Sequence, residues 1–137
     1  MVFQDEIILP AMQRGVHIID SFIHPLIHPH IKKGIANIFL QHTSASLAIN
    51  ENADPSVRVD IESFLRNLIP DGWSGFTHIL EGPDDMSAHM KNIFISSFLS
   101  IPITNGRLNL GTWQGIYLLE HREYASKRKI IITQIGE

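Results

Sequence analysis

The chain is 137 residues long, 44% apolar and 18% charged, with a formal net charge of -3. That length suits a single domain able to bury roughly 70% of the surface of its unfolded chain. The charge balance argues against a nucleic-acid partner held on a basic face, and the absence of cysteine excludes disulfides and thiolate metal sites.

Residues 2–9 read as an opening strand that Pro10 ends. Gly15 permits a turn before a second extended run at 16–19, so the start resembles a hairpin. Asp20 and Ser21 are N-cap residues for a following helix. Phe22, Ile23, Leu26, Ile27 and Ile31 recur at helical spacing, but Pro25 and Pro29 interrupt it, which predicts one short or broken helix ending at Lys32-Lys33-Gly34. A near-continuous apolar run at 35–40 is expected to be a strand covered on both faces. A second strand at 45–50 lies antiparallel to it if the connection is tight.

Asp54-Pro55 is a helix start, a capping carboxylate followed by proline at the first helical position. Val57, Ile61, Phe64, Leu65 and Leu68 then share one face, and Pro70-Asp71-Gly72 stops the helix. Residues 73–83 form a loop holding His78 and Glu81. Pro83-Asp84-Asp85 opens another helix, whose Met86, Met90, Ile93, Phe94 and Ser97 share a face expected to meet the core, with His89 at its edge. Strands at 101–104 and 107–110 flank an Asn105-Gly106 hairpin turn. Gly111-Thr112-Trp113-Gln114-Gly115 breaks the pattern before strands at 116–121 and 129–135, with Lys127-Arg128-Lys129 as a solvated turn. Strands pair with strands instead of alternating with helices, which predicts an α+β fold in one compact domain: a largely antiparallel sheet packed with two to three helices.

No run approaches the roughly 18 apolar residues of a spanning helix. Gln4, Asp5 and Glu6 after Met1 lack the basic start and apolar core of a signal peptide. A cytoplasmic protein with neither membrane nor nucleic-acid partners is the expectation. Any metal must be held by imidazole and oxygen, and the chain carries eight histidines.

The densest polar stretch is Gln41-His42-Thr43-Ser44-Ala45-Ser46, set between two apolar runs. Buried donors and acceptors there need partners. His42 at a strand end, His78 in a loop, His89 on a helix and His121 at a strand end are candidate metal ligands. Two readings stand: ordinary hydrogen-bonded histidines, or a divalent cation held by several imidazoles and water. Glu51 and Glu120 close the inward rows of their strands, where a carboxylate is paired, catalytic or simply in water. Lys91, Arg107, Thr112 and the hydroxyls of Thr43, Ser44 and Ser46 form a second candidate set, able to donate hydrogen bonds to a phosphate. The HPLIHPH segment has the composition of a metal tract, but its prolines and surface placement make chance the better explanation.

The segments QHTSASLAINENADPSVRVD, EGPDDMSAHMK and GRLNLGTWQGIYLLEHR closely resemble the YjbQ family of small bacterial and archaeal proteins, over nearly the whole chain. The resemblance implies a compact α+β subunit assembling as a homotrimer. It also implies a secondary thiamine-phosphate synthase activity, joining a pyrimidine diphosphate to a thiazole phosphate, with a histidine-lined pocket for a zinc or magnesium ion. Carried over, the pocket residues are His42, His78 and His89, with His121 matching only members whose strand ends EHR. Ile79 departs from the acidic residue that commonly follows the loop histidine. On the residues themselves, a cation beside hydroxyls and Lys91 or Arg107 suits a phosphorylated substrate, either in such a synthase or in a phosphate-ester hydrolase with Glu51 as general base. A non-catalytic trimer binding a small anionic metabolite or a metal is the third reading.

Overall fold

The computed structural model describes all 137 residues. Its elements run β1 (Val2–Leu9), β2 (Gly15–Ile18), α1 (Asp20–Ile23), β3 (Lys33–Leu40), β4 (Ala45–Glu51), α2 (Pro55–Leu68), α3 (Asp85–Ile95), β5 (Phe98–Thr104), β6 (Arg107–Leu108), β7 (Gln114–Glu120) and β8 (Arg128–Gly136). They build two sheets, a five-stranded one ordered β1-β8-β3-β5-β6 and a three-stranded one ordered β2-β7-β4. Every strand pairing is antiparallel. The α+β class follows from this arrangement. No helix is long and apolar enough to cross a membrane.

Period-two alternation builds the core. Ala36, Ile38 and Leu40 of β3, Ile101 and Ile103 of β5, and Ile130 and Ile132 of β8 point one way from the large sheet. They meet Ala45 and Leu47 of β4 and Ile116 and Leu118 of β7 in one cluster of 17 buried residues. The alternate positions of β3 open outward, with Ile35 54% and Phe39 43% exposed, so within one subunit this strand is covered on a single face and not on both.

Two expected strand pairings do not form. β1 pairs with β8 and β2 with β7, so the opening segments are not a hairpin but enter different sheets. β3 and β4 likewise divide between the sheets, and residues 41–44 carry the chain across the core. The physical reason is register: both strands have buried apolar rows that must face each other across the core, which pairing edge to edge would prevent. The hairpin at Asn105-Gly106 does form, with both turn residues at positive φ, 51° and 74°. A side chain at Gly106 would meet the Pro29 carbonyl oxygen at 2.5 Å, which adds a steric reason for glycine there.

The interrupted helix is a single turn, α1, followed by a 3₁₀ turn at His24–Leu26. Asp54 caps α2 as expected, its Oδ1 accepting from the Ser56 backbone N–H at 2.9 Å. The orientation of α3 differs from the expectation. Its buried residues are Asp85, Ser87, Ala88 and Lys91. Ile93 and Phe94, expected to meet the core, are 73% and 71% exposed. The helix turns its polar stripe inward because Asp85, Ser87 and Lys91 find charged and polar neighbours there, described below.

Replacing Ile132, fully buried on β8 between β1 and β3, by alanine leaves a cavity that the sheet cannot collapse around. The variant should lose about 2–5 kcal/mol of unfolding free energy in chemical denaturation.

Candidate metal centre

Three ligand-type side chains converge where the loop after α2 meets the start of α3. Donor atoms of His78, Asp85 and His89 all lie within 4.8 Å of one another. His78 Nε2 lies 2.7 Å, and His89 Nε2 3.1 Å, from the same oxygen, Asp85 Oδ2. The helix produces half of this directly, since Asp85 and His89 are four residues apart and so stand one turn above the other. The loop supplies His78, whose ring centre is 5.5 Å from that of His89.

The tautomer of His89 is set from outside. Its Nδ1 lies 2.8 Å from the Thr43 carbonyl oxygen, which can only accept, so Nδ1 carries a proton. A neutral His89 therefore presents the Nε2 lone pair toward a carboxylate oxygen. Two acceptors at 3.1 Å require a proton or a cation between them. Burial by itself would raise the Asp85 carboxyl, but the His78 hydrogen bond and the charges of His89 and Arg122 outweigh it and hold the group below its ordinary value. Asp85 is 2% exposed, against 45% for the His78 side chain and 28% for that of His89, so a deep carboxylate lies beneath two imidazoles that water reaches.

Arg122, just beyond β7, fixes the second carboxylate oxygen. Its Nη1 donates to Asp85 Oδ1, its Nε to Asp84 Oδ2 at 3.1 Å, and its Nη2 to the Glu81 carbonyl at 2.9 Å. One guanidinium thus ties the loop to the start of α3 and compensates both aspartates. A shallow depression of about 290 Å³ beside this centre is lined by Thr43, His89, Asn92 and Ile93.

The other candidate residues are distributed differently. His42 and His121 stand outside the convergent group. His42 Nε2 accepts from the Lys129 backbone N–H at 2.8 Å, so its lone pair is already used. Burial, then the neighbouring Arg128 charge, lower its affinity for a proton. His121 is 1% exposed, its Nε2 lies 2.9 Å from Ser46 Oγ, and its Nδ1 is buried without a partner. Ser44 Oγ accepts from Arg128 Nη2 at 3.0 Å. Glu120 is fully buried and takes two hydrogen bonds from Arg128, at 2.7 and 2.6 Å. Both of its oxygens are thus engaged by Arg128, which is part of the interior, contrary to its reading as a solvated turn.

Glu51 accepts from the backbone N–H groups of Ala53 and Asp54, bracing the entry to α2. It lies six residues along β4 from Ala45, roughly 20 Å from the Thr43 end at which His89 docks, which is too far for a general base there. Thr112 shares that remote end, its carbonyl accepting from Asn52 Nδ2 at 3.4 Å. Arg107 pairs with Thr104, which in turn pairs with Lys33 at the start of β3, whereas the chain reaches His42 from the end of that strand, roughly 23 Å away. Lys91 is 1% exposed and faces inward; burial, then the charge of Arg14, depress its pKa.

Asp85 and Arg122 were not among the candidates. The spacing of Asp85 and His89 was a legible signal, one helical turn with the carboxylate on the N-terminal side. Arg122 carried none, because its contacts join residues about 40 positions apart.

Two stability predictions follow from the buried groups. Glu120→Ala strands the Arg128 charge and should cost about 3–5 kcal/mol in equilibrium unfolding. Burial, then the charges of Lys91, Arg14 and Arg128, lower His121 to about 3. The unfolded chain therefore takes up a proton below its ordinary value, near 6.5, while the folded chain does not. Stability should fall by about 1.4 kcal/mol per pH unit as pH drops through that window. His121→Gln should flatten this limb in unfolding measured at successive pH values.

The sequence matches the family described as UPF0047 protein YjbQ-like over residues 5–137. It is 42% identical to the UPF0047 protein YjbQ of Escherichia coli, with all of both chains aligned. A UPF0047 protein of Methanocaldococcus jannaschii is 40% identical, over 100% of this chain and 96% of that relative. Among solved structures, a protein of Sulfolobus solfataricus described as YbjQ-like and of unknown function superposes with a TM-score of 0.89 at 26% identity, covering 100% of this chain and 99% of that one. A YjbQ/UPF0047 protein of Clostridium acetobutylicum gives 0.86 at 34% identity, over 96% and 99%. With its whole length matched in sequence and in fold, the chain belongs to the UPF0047 YjbQ-like family.

Proposed function

We propose that this chain is a metal-dependent enzyme acting on a small phosphorylated molecule, with a divalent cation held by His78, Asp85 and His89. The observation that carries the reading is the facing pair at Asp85 Oδ2 and His89 Nε2, an ionised carboxylate opposite an imidazole whose other nitrogen is committed to Thr43. Two imidazoles and one carboxylate suit zinc with positions left for water and a substrate oxygen. Such an ion, when bound, supplies a water of lowered pKa and polarises a phosphoryl oxygen. The chain's own residues do the rest. Thr43 holds the imidazole of His89 through its carbonyl, Arg122 pins Asp85, and the exposed depression beside His89 admits the substrate.

Hydrolysis of a phosphate ester demands least of these surroundings. The synthase that the family resemblance implies must hold a diphosphate and a phosphate at once, and the residues expected to cradle them are dispersed. Arg107 and Thr112 sit at remote ends, Lys91 faces inward, and all three donor nitrogens of Arg122 are committed. The implied homotrimer is part of the proposal. Ile79 and Leu80, next to His78 in sequence, and Ile93 and Phe94, one turn beyond His89, are exposed by 64%, 96%, 73% and 71%, apolar area that assembly would cover.

Purified protein supplied with Zn²⁺ or Mn²⁺ should release phosphate from small phosphate monoesters. Chelator and Asp85→Asn should each abolish the release, and Glu51→Gln should preserve it. Activity should decline as pH falls, because protons compete for the imidazole ligands. Full turnover by Asp85→Asn would place the chemistry elsewhere. A joined two-ring product with release of diphosphate would establish the synthase reaction instead.

A further inference from the structure

A second region, separate from the metal centre, holds buried guanidinium nitrogens that have no hydrogen-bond acceptor. A cleft of about 560 Å³ between β2 and α2 is lined by Arg14, Arg58, Glu62, Ser63 and Arg66, with Gly15, Val16, Pro55 and Val59 completing its walls. Three guanidiniums and one carboxylate line it, and Asp71 and Glu123 pair with Arg14 and Arg66 from beyond its walls. Arg66 Nε spends itself on Glu62 at 2.8 Å. Arg14 commits its terminal nitrogens to Asp71, at 2.6 and 3.0 Å, and to Glu123, at 3.1 Å, while its Nε is shielded from water and hydrogen-bonds to nothing; a carboxylate oxygen of Glu62 is 3.5 Å from that Nε. Arg58 forms no ion pair, and its Nη1 is likewise buried without an acceptor. Arg58 thus has no carboxylate partner, and two buried guanidinium nitrogens without acceptors beside one cleft call for an acceptor from outside the chain.

The geometry points to a binding site for a small oxyanion of the phosphate class, held by Arg58 and Arg14 with Ser63 at the rim. Guanidinium donors match tetrahedral oxyanions in shape and in charge. An oxyanion would supply the acceptors that Arg58 Nη1 and Arg14 Nε lack and the counter-charge that Arg58 lacks. The cleft is held in place by the fold. Arg14 is bonded to Asp71, and Asp71 accepts from Ser87 on α3, so the inward polar face of that helix supports the arginine. The site does not depend on the metal or on the reaction proposed above.

Isothermal titration at low ionic strength, in the presence of a chelator, tests it with inorganic phosphate in one arm and a sugar phosphate in the other. Saturable binding is expected, weakened about tenfold in Arg58→Ala and abolished in Ser63→Glu, which puts a carboxylate at the rim. His78→Ala, at a half-exposed loop position, should bind as the wild type does, which separates this cleft from the metal centre. Tighter binding of the sugar phosphate would assign the cleft to a phosphorylated metabolite, and equal binding to free phosphate; both support the proposal. The absence of saturable heat in either arm, or unchanged affinity in Arg58→Ala and Ser63→Glu variants with wild-type melting, would overturn it. So would dissociation of the assembly in Arg58→Ala without any phosphate binding in the wild type, since the guanidinium would then serve a subunit contact.

Discussion

A carboxylate buried in the first turn of a helix must be matched on every side, and around Asp85 that requirement gathers a distant arginine, a loop and the next turn of the helix. Arg122, from beyond β7, takes one oxygen. His78, from the loop, and His89, one helical turn on, share the other. The helix terminus contributes its own favourable field toward a negative charge in its first turn. The loop needs no regular structure to be positioned, because Arg122 also holds the Glu81 carbonyl and the Asp84 carboxylate. Site and local fold are therefore the same set of contacts: removing the carboxylate would free the loop as well as the ligand set.

The same constraint explains why α3 sits with its polar stripe inward. Beneath it lies a charged layer in which Ser87 donates to Asp71 and Asp71 pairs with Arg14. Lys91 and His121 complete that interior, and both resist protonation because burial and neighbouring cations oppose another positive charge. On the far side of β7, Glu120 and Arg128 form a second buried pair that anchors Ser44. Polar interiors of this kind are costly unless complete, and their outward counterpart is an apolar surface at Ile93 and Phe94.

Much of the fold was legible because it rests on local rules. Proline and a capping aspartate set the start of α2, Asn105-Gly106 set the hairpin, and alternation set the strands. Sheet partners were not legible, since pairing of β1 with β8 joins the two ends of the chain. The metal-site histidines split for a related reason. His78 and His89 converge, whereas His42 and His121, with equally suggestive neighbours, turn their Nε2 atoms to the Lys129 backbone and to Ser46. No spacing in the sequence distinguishes an imidazole that accepts from a backbone N–H from one that is free to bind an ion. Glu51 and Glu120 illustrate the same limit: both end an inward row, yet one braces a turn and the other neutralises an arginine.

Metal content tests most directly whether His78, Asp85 and His89 hold a cation. Protein purified without chelator or affinity tag would be measured by plasma mass spectrometry, as the wild type and as His89→Ala and His42→Ala. Stoichiometric divalent metal in the wild type and in His42→Ala, lost in His89→Ala with the assembly intact, is the result the geometry predicts. Metal retained in His89→Ala, or lost only in His42→Ala, would contradict it.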